Sequence, residues 1–213
     1  MRRMFQMTVV SIIAVISVLF SFAAVANHNY FYSDEQTVMS EQSVITAMTL
    51  WVVDNAHTKL TYDRANAIVR KVFENSKQHD IDPVFVLSII QTESGFREKA
   101  KSSHGAKGLM QVIPYWHRDK LKGRDPLQAG VNIDVGTRVI TDCLDKFGNS
   151  SHKALNCYSG GGGKKYASKV ASNHAKMRAS ITAYFFEKEI PIQTVSSFHR
   201  PRVTSSAVQV AAR

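Results

Sequence analysis

The spacing of apolar positions divides the chain into a series of helices. From Thr61 onward, Ala65, Ile68, Val69, Val72 and Phe73 recur at intervals of three and four and so share one face of a helix. Ahead of it, "SDEQTVMSEQSVITAMTLWVVDNAH" begins polar and turns apolar, which predicts a helix packing Ile45, Met48 and Val52 inward. The chain then turns at "HDIDP". Asp82 suits an N-cap there, and Pro83 suits the first helical position, where a missing N–H has no intrahelical partner to lose. The "PVFVLSII" that follows is almost wholly apolar and predicts a buried helix, with Gly95 placed to end it.

Beyond Arg97 the pattern is turn-rich. Gly105 and Gly108 bracket basic residues, and "LMQVI" is expected as a short extended piece. Asp125-Pro126 repeats the cap-and-proline signal, ahead of a helix that should carry Leu127, Val131, Val135, Val139 and Leu144 inward and stop at Gly148. Ser151 is expected to cap a short helix over "HKALNCY", which breaks at "SGGGG". A last amphipathic helix runs from about Lys164 to Phe186, with Tyr166, Val170, Met177, Ile181 and Phe185 as its apolar face. Past Pro191 the sequence is Ser-, Val- and Arg-rich without helical period, so residues 190–213 are expected to be a disordered basic tail. These elements predict a mainly α fold with one domain over residues 36–188.

Composition fits that reading. A chain of 213 residues with 44% hydrophobic content can bury one ordinary core. Its start has Arg2 and Arg3, an uncharged, mainly apolar run from Thr8 to Ala26, and the small-residue pattern Ala24-Val25-Ala26. Residues 1–26 therefore read as a secretory signal peptide, or, if uncleaved, as a membrane anchor over 8–26. In both cases the rest of the chain is expected to be exported to the periplasm. The formal net charge of +10 suits a polyanionic partner, and no nucleic-acid-binding signature accompanies it. Cys143 and Cys157 are too few for a disulfide scaffold and have no zinc-like histidine spacing. The alternatives are two buried thiols or a disulfide, and the oxidising compartment favours the disulfide. His104 and His117 have no metal-compatible spacing, and no metal or cofactor is expected.

The residue with the strongest chemical signal is Glu93, the one acid between Pro83 and Arg97. In the last turn of a buried helix, the carbonyl end of the helix dipole and the apolar surroundings both disfavour its charge. A carboxylic acid that keeps its proton near neutral pH is a general acid, as cleavage of a glycosidic bond requires. The competing reading is an exposed helix-end glutamate paired with Arg97, and physical argument alone leaves the two level.

The motifs around Glu93 favour the first reading. "ESGF", then "GAKGLMQV", "NIDVG" and "ALNCYSGG" follow one another in an order that resembles the lytic transglycosylases with a soluble-transglycosylase, lysozyme-like catalytic domain. The resemblance covers roughly Asn66 to Lys176, and "CYSGG" with the two cysteines is most similar to the small enzymes attached to secretion, conjugation or phage-infection machinery. It implies that Glu93 is catalytic acid and base and that Ser94 helps hold the carboxyl. It also implies that Gly108, Leu109, Met110 and Gln111 line the glycan groove, with Gln111 bonding a sugar acetamido group, and that Tyr158 stands near Glu93. Where the family often has Asn after this tyrosine, the chain has Ser159, a departure that bears on the polar contact at that point. Ordinary glycosidases use two carboxylates, whereas Asp125 and Asp134 read as a helix cap and an exposed helix residue. The resemblance implies that the substrate's N-acetyl group and 6-hydroxyl stand in for the second acid and water, leaving 1,6-anhydromuramoyl ends on peptidoglycan strands. A hydrolytic muramidase and a non-catalytic wall-binding module are the alternatives.

Overall fold

The computed structural model describes residues 34–188, with side chains from Glu41. The segments expected to be the signal peptide or anchor and the basic tail lie outside these residues. The chain divides at Met39/Ser40: the first unit is described only as a helical stretch from Asp34, and the described residues from Ser40 to Lys188 form a compact unit. Among the described residues there are seven helices: α1 (Asp34–Asn55), α2 (Tyr62–His79), α3 (Pro83–Glu93), α4 (Arg118–Leu121), α5 (Ala129–Lys146), α6 (Ser151–Tyr158) and α7 (Gly163–Glu187). None of them is long and apolar enough to cross a membrane.

The local signals act much as the sequence predicts. Thr61 caps α2 by accepting from the Arg64 amide, and Asp82 caps α3 by accepting from the Val84 amide, with Pro83 in the first turn. Every residue of α3 from Pro83 to Ile90 is buried, and α3 packs against α7 on one side and α2 on another. Ile45, Met48, Val52 and the apolar face of α2 join the same core, together with Val170, Met177, Ile181 and Phe185 of α7. α5 packs on α2 and on α6. A disulfide between Cys143 of α5 and Cys157 of α6 closes that last contact.

Three expectations need correction. "LMQVI" is not an extended strand: Gly108–Gln111 form a turn, and Val112 pairs back to Lys107 as an isolated antiparallel bridge. The reason is that Gly108 and Gln111 both adopt positive φ, which folds the backbone instead of extending it. Second, α5 begins at Ala129, not beside Asp125. Asp125 instead accepts from the Leu127 amide and closes a turn ahead of the helix, so Leu127 precedes the helix and is only half-buried. Third, Ser151 lies inside α6, whose N-cap position is Ser150.

Candidate active site

Glu93 is the final residue of α3, and the sequence after it shapes its setting. Ser94 ends the helix and donates its hydroxyl to the Leu109 carbonyl at 2.7 Å and to Ile90 at 3.1 Å. Gly95 has φ +56, and a Cβ there would sit 2.2 Å from the His57 ring. This close approach lets the His57 amide donate to the Gly95 carbonyl at 2.9 Å. Phe96 follows with φ 64, a conformation that costs a bulky residue roughly 1–3 kcal/mol and is held here by full burial and an edge contact with Trp51. In "ESGF", therefore, Ser94, Gly95 and Phe96 fix the chain immediately beyond the acid.

Glu93 itself is half-buried, and among the described residues it makes no ion pair. The competing partner, Arg97, is exposed and not engaged with it. Burial pushes the Glu93 carboxyl above the ordinary glutamate value, while a hydrogen bond from Tyr166 Oη to Glu93 Oε1 at 2.6 Å partly offsets the rise. Tyr166 comes from α7, and its phenol is held far above its usual value by burial and then by the Glu93 charge, so it stays a proton donor. Tyr158, at the end of α6, donates its hydroxyl to the Met110 carbonyl at 2.7 Å, and its own phenol is raised by burial and by the charge of Glu93. The Tyr158 hydroxyl is thus occupied by the turn.

The other motif pieces build that turn. Asn132 of "NIDVG" is fully buried. Its Oδ1 accepts from the Met110 amide at 2.7 Å and its Nδ2 donates to the carbonyls of Lys107 and Pro126, each at 2.7 Å. A Cβ at Gly136 would lie 2.5 Å from Met110 Sδ, so glycine there makes room for Met110. A Cβ at Gly108 would meet Asn132 Nδ2 at 2.4 Å. The "NIDVG" stretch, to which the sequence alone assigns no role, holds the Gly108–Gln111 turn in place.

Several expected roles change as a result. The Leu109 and Met110 side chains are fully buried core, and their backbone carbonyls anchor Ser94 and Tyr158. Ser94 holds this turn and not the carboxyl. Gln111 is half-buried, and its amide nitrogen donates to the Gly108 carbonyl at 2.9 Å. Ser159 accepts from the Gly162 amide at 2.9 Å and shapes the glycine-rich break. Tyr166 was expected only as an apolar-face residue; the helical spacing that marked it gave no sign of where its hydroxyl would point.

α7 holds the length of α3 by polar links as well as by packing. Asn173 donates to Thr92 Oγ1 at 2.9 Å, one residue before Glu93. At the other end of α3, His174 lies 3.1 Å and Arg178 3.7 Å from Asp82 Oδ2. The charge of Glu93 is disfavoured by burial and favoured by the Tyr166 hydrogen bond. Glu98 pairs with Arg64, and Asp134 with Arg124. A groove of about 630 Å³ between α2 and the start of α5, lined by Arg64, Lys71, Lys99 and Ile133 among others, does not include Glu93.

Residues 70–181 match a family model described as the Transglycosylase SLT domain. The chain is 30% identical over 112 residues to a transglycosylase of Enterobacteria phage PRD1, covering 52% of this chain and 41% of that protein. It is 29% identical over 155 residues to the membrane-bound lytic murein transglycosylase C of Shigella sonnei, covering 65% and 42%. Thus it spans less than half the length of these curated relatives. The X-ray structure of an inactive mutant of lytic transglycosylase Slt from Pseudomonas aeruginosa aligns with a TM-score of 0.44 at 17% identity, over 65% of this chain and 26% of that one.

Proposed function

The chain belongs to the SLT transglycosylase family, whose domain covers more than half of it, and from that premise we propose that it is an exported peptidoglycan lytic transglycosylase cleaving the β-1,4 bond from MurNAc to GlcNAc. The observation that carries the reading is a half-buried Glu93 at the end of a buried helix, with no ion pair among the described residues and its carboxyl pushed above the ordinary value by burial. In its protonated form it donates to the departing glycosidic oxygen. Once ionised, it takes the proton of the MurNAc 6-hydroxyl as that oxygen closes on the anomeric carbon, which leaves a 1,6-anhydro end. Tyr166 steadies the carboxylate between the two steps by donating to Oε1.

A two-carboxylate mechanism needs a partner acid roughly 5–9.5 Å away. Among the described residues, Glu98 is committed to Arg64 and Asp134 to Arg124, which supports a substrate-assisted route. Digestion of purified sacculi followed by mass analysis of the muropeptides tests this. Anhydro ends are expected. Reducing ends would mean that water is the nucleophile, and no release would reduce the protein to a wall-binding module.

A further inference from the structure

The chain that leaves the Gly108–Val112 region carries an exposed aromatic pair. Tyr115 is 63% and Trp116 70% exposed. Their rings meet edge to face with centroids 4.8 Å apart, and the Arg118 guanidinium lies 4.8 Å over the Tyr115 ring. Trp116 thus presents an indole to solvent while its neighbour is clamped between it and a cation. A large apolar ring held in the open points to a ligand, because pre-setting the ring removes ordering cost at binding. The Trp116 amide donates to the Ile113 carbonyl at 3.1 Å, a turn that keeps the two Cα atoms within about 7 Å. Ile113 is only three residues, at most about 11 Å, from Met110, whose carbonyl holds Tyr158 beside Glu93. The pair is therefore within reach of a polymer bound at Glu93.

The patch is small. Arg118 and Asp119 next to it are exposed and His117 is half-buried, so it falls far short of the roughly 800 Å² per partner of a stable protein interface. One indole face does match the flat C–H face of one sugar ring, and the nearby guanidinium offers donors to its hydroxyl and acetamido oxygens. Accordingly we propose that Trp116, braced by Tyr115 and Arg118, is a stacking platform for an N-acetylhexosamine ring of the glycan strand, away from the bond that is cleaved. This rests on the reading of the protein as a glycan-cleaving enzyme.

The chain has two tryptophans, and the other, Trp51, is 5% exposed in the core, so a ligand-induced change in emission reports on Trp116. Titration of the full-length protein with the N-acetylglucosamine tetramer is expected to give a saturable blue shift. Trp116→Phe should lose the shift but keep affinity, measured by calorimetry, within about threefold, and Trp116→Ala should bind about tenfold more weakly, as for a tryptophan hot spot. Both variants change a surface side chain and should melt with wild type. No shift in wild type, or equal affinity in Trp116→Ala, overturns the platform, as does a shift with anionic phospholipid vesicles and none with the tetramer. Sacculus cleavage by wild type is assayed alongside. If cleavage is absent while the Trp116-dependent shift is present, the enzymatic reading falls and the platform stands.

Discussion

Tyr166 and Glu93, 73 positions apart in sequence, share a 2.6 Å hydrogen bond in which the phenol donates and the carboxyl accepts. This contact favours the carboxylate against the burial that disfavours it. Removing the hydroxyl in Tyr166→Phe should therefore raise the Glu93 pKa further. The falling limb of the pH–rate profile, where the acid loses its proton, moves to higher pH. The maximal rate should drop roughly 10- to 150-fold, since a hydrogen bond to the carboxylate that forms as the acid gives up its proton is worth about 1.5–3 kcal/mol. An unmoved pH profile would show that the bond does not tune the acid.

The opposite end of the same helix predicts a stability effect. Asp82 is buried, and although desolvation raises its pKa, the hydrogen bond and charge of His174, the Val84 amide and the charge of Arg178 together bring it below the ordinary value. Its stabilisation is then present above the unfolded value of 3.8 and is lost as pH falls from there through the depressed folded value. Asp82→Ala removes both the cap and the partner of His174, and should cost about 3–5 kcal/mol. Thermal melts at neutral pH and at about pH 3 test this: the gap between wild type and variant should narrow in acid, and a constant gap would show that ionisation of Asp82 adds no stability.

Cys157 precedes Tyr158, whose hydroxyl holds the Met110 carbonyl, so the Cys143–Cys157 bond ties the active-site turn to α5. Its partners are 14 residues apart, a loop whose closure is worth about 3 kcal/mol. Cys143→Ser/Cys157→Ser should melt roughly 6–12 °C lower, on the scaling for a domain of this size. Glycan cleavage well below the new melting point should also fall, because Tyr158 is less firmly placed. Full activity at that temperature would limit the disulfide to a stabilising role.

Much of this arrangement was legible in the sequence. The Asp82-Pro83 start, the buried α3, the inward face of α2 and the glycine after Glu93 are local signals, and tertiary packing reinforces each of them. Glu93 itself stood out because one acid followed an apolar run. What local pattern could not supply is direction across the fold. Leu109 and Met110 sit in a motif tied by resemblance to substrate, yet positive φ at Gly108 and Gln111 turns both side chains into the core. Tyr166 falls on the apolar period of α7, and only the packing of α7 on α3 brings its hydroxyl to the carboxyl. Asn132 gave no periodic signal, because a buried amide satisfied by three backbone groups depends on a turn more than twenty residues earlier.

Glu93→Gln separates catalysis from architecture. The amide keeps the shape of the acid, and its carbonyl oxygen can still accept from Tyr166, so the contact between α3 and α7 persists. What it lacks is a proton to give the leaving oxygen. If, as proposed, one carboxyl serves as both acid and base, cleavage should fall by at least about 10²- to 10⁴-fold. Stability should move the other way. Because the folded pKa of Glu93 is raised above its unfolded value of 4.5, the stability it contributes is present below 4.5 and is lost as pH rises through the folded value. Above that point wild type carries the cost of a desolvated charge that the variant does not have. Glu93→Gln should thus melt no earlier than wild type at neutral pH and gain on it as pH increases from about 4, while still sedimenting with purified sacculi. Near-full muropeptide release by the variant would take Glu93 out of the catalytic role, and an earlier melt at neutral pH would mean that the carboxylate is stabilised in place by contacts stronger than the single bond from Tyr166.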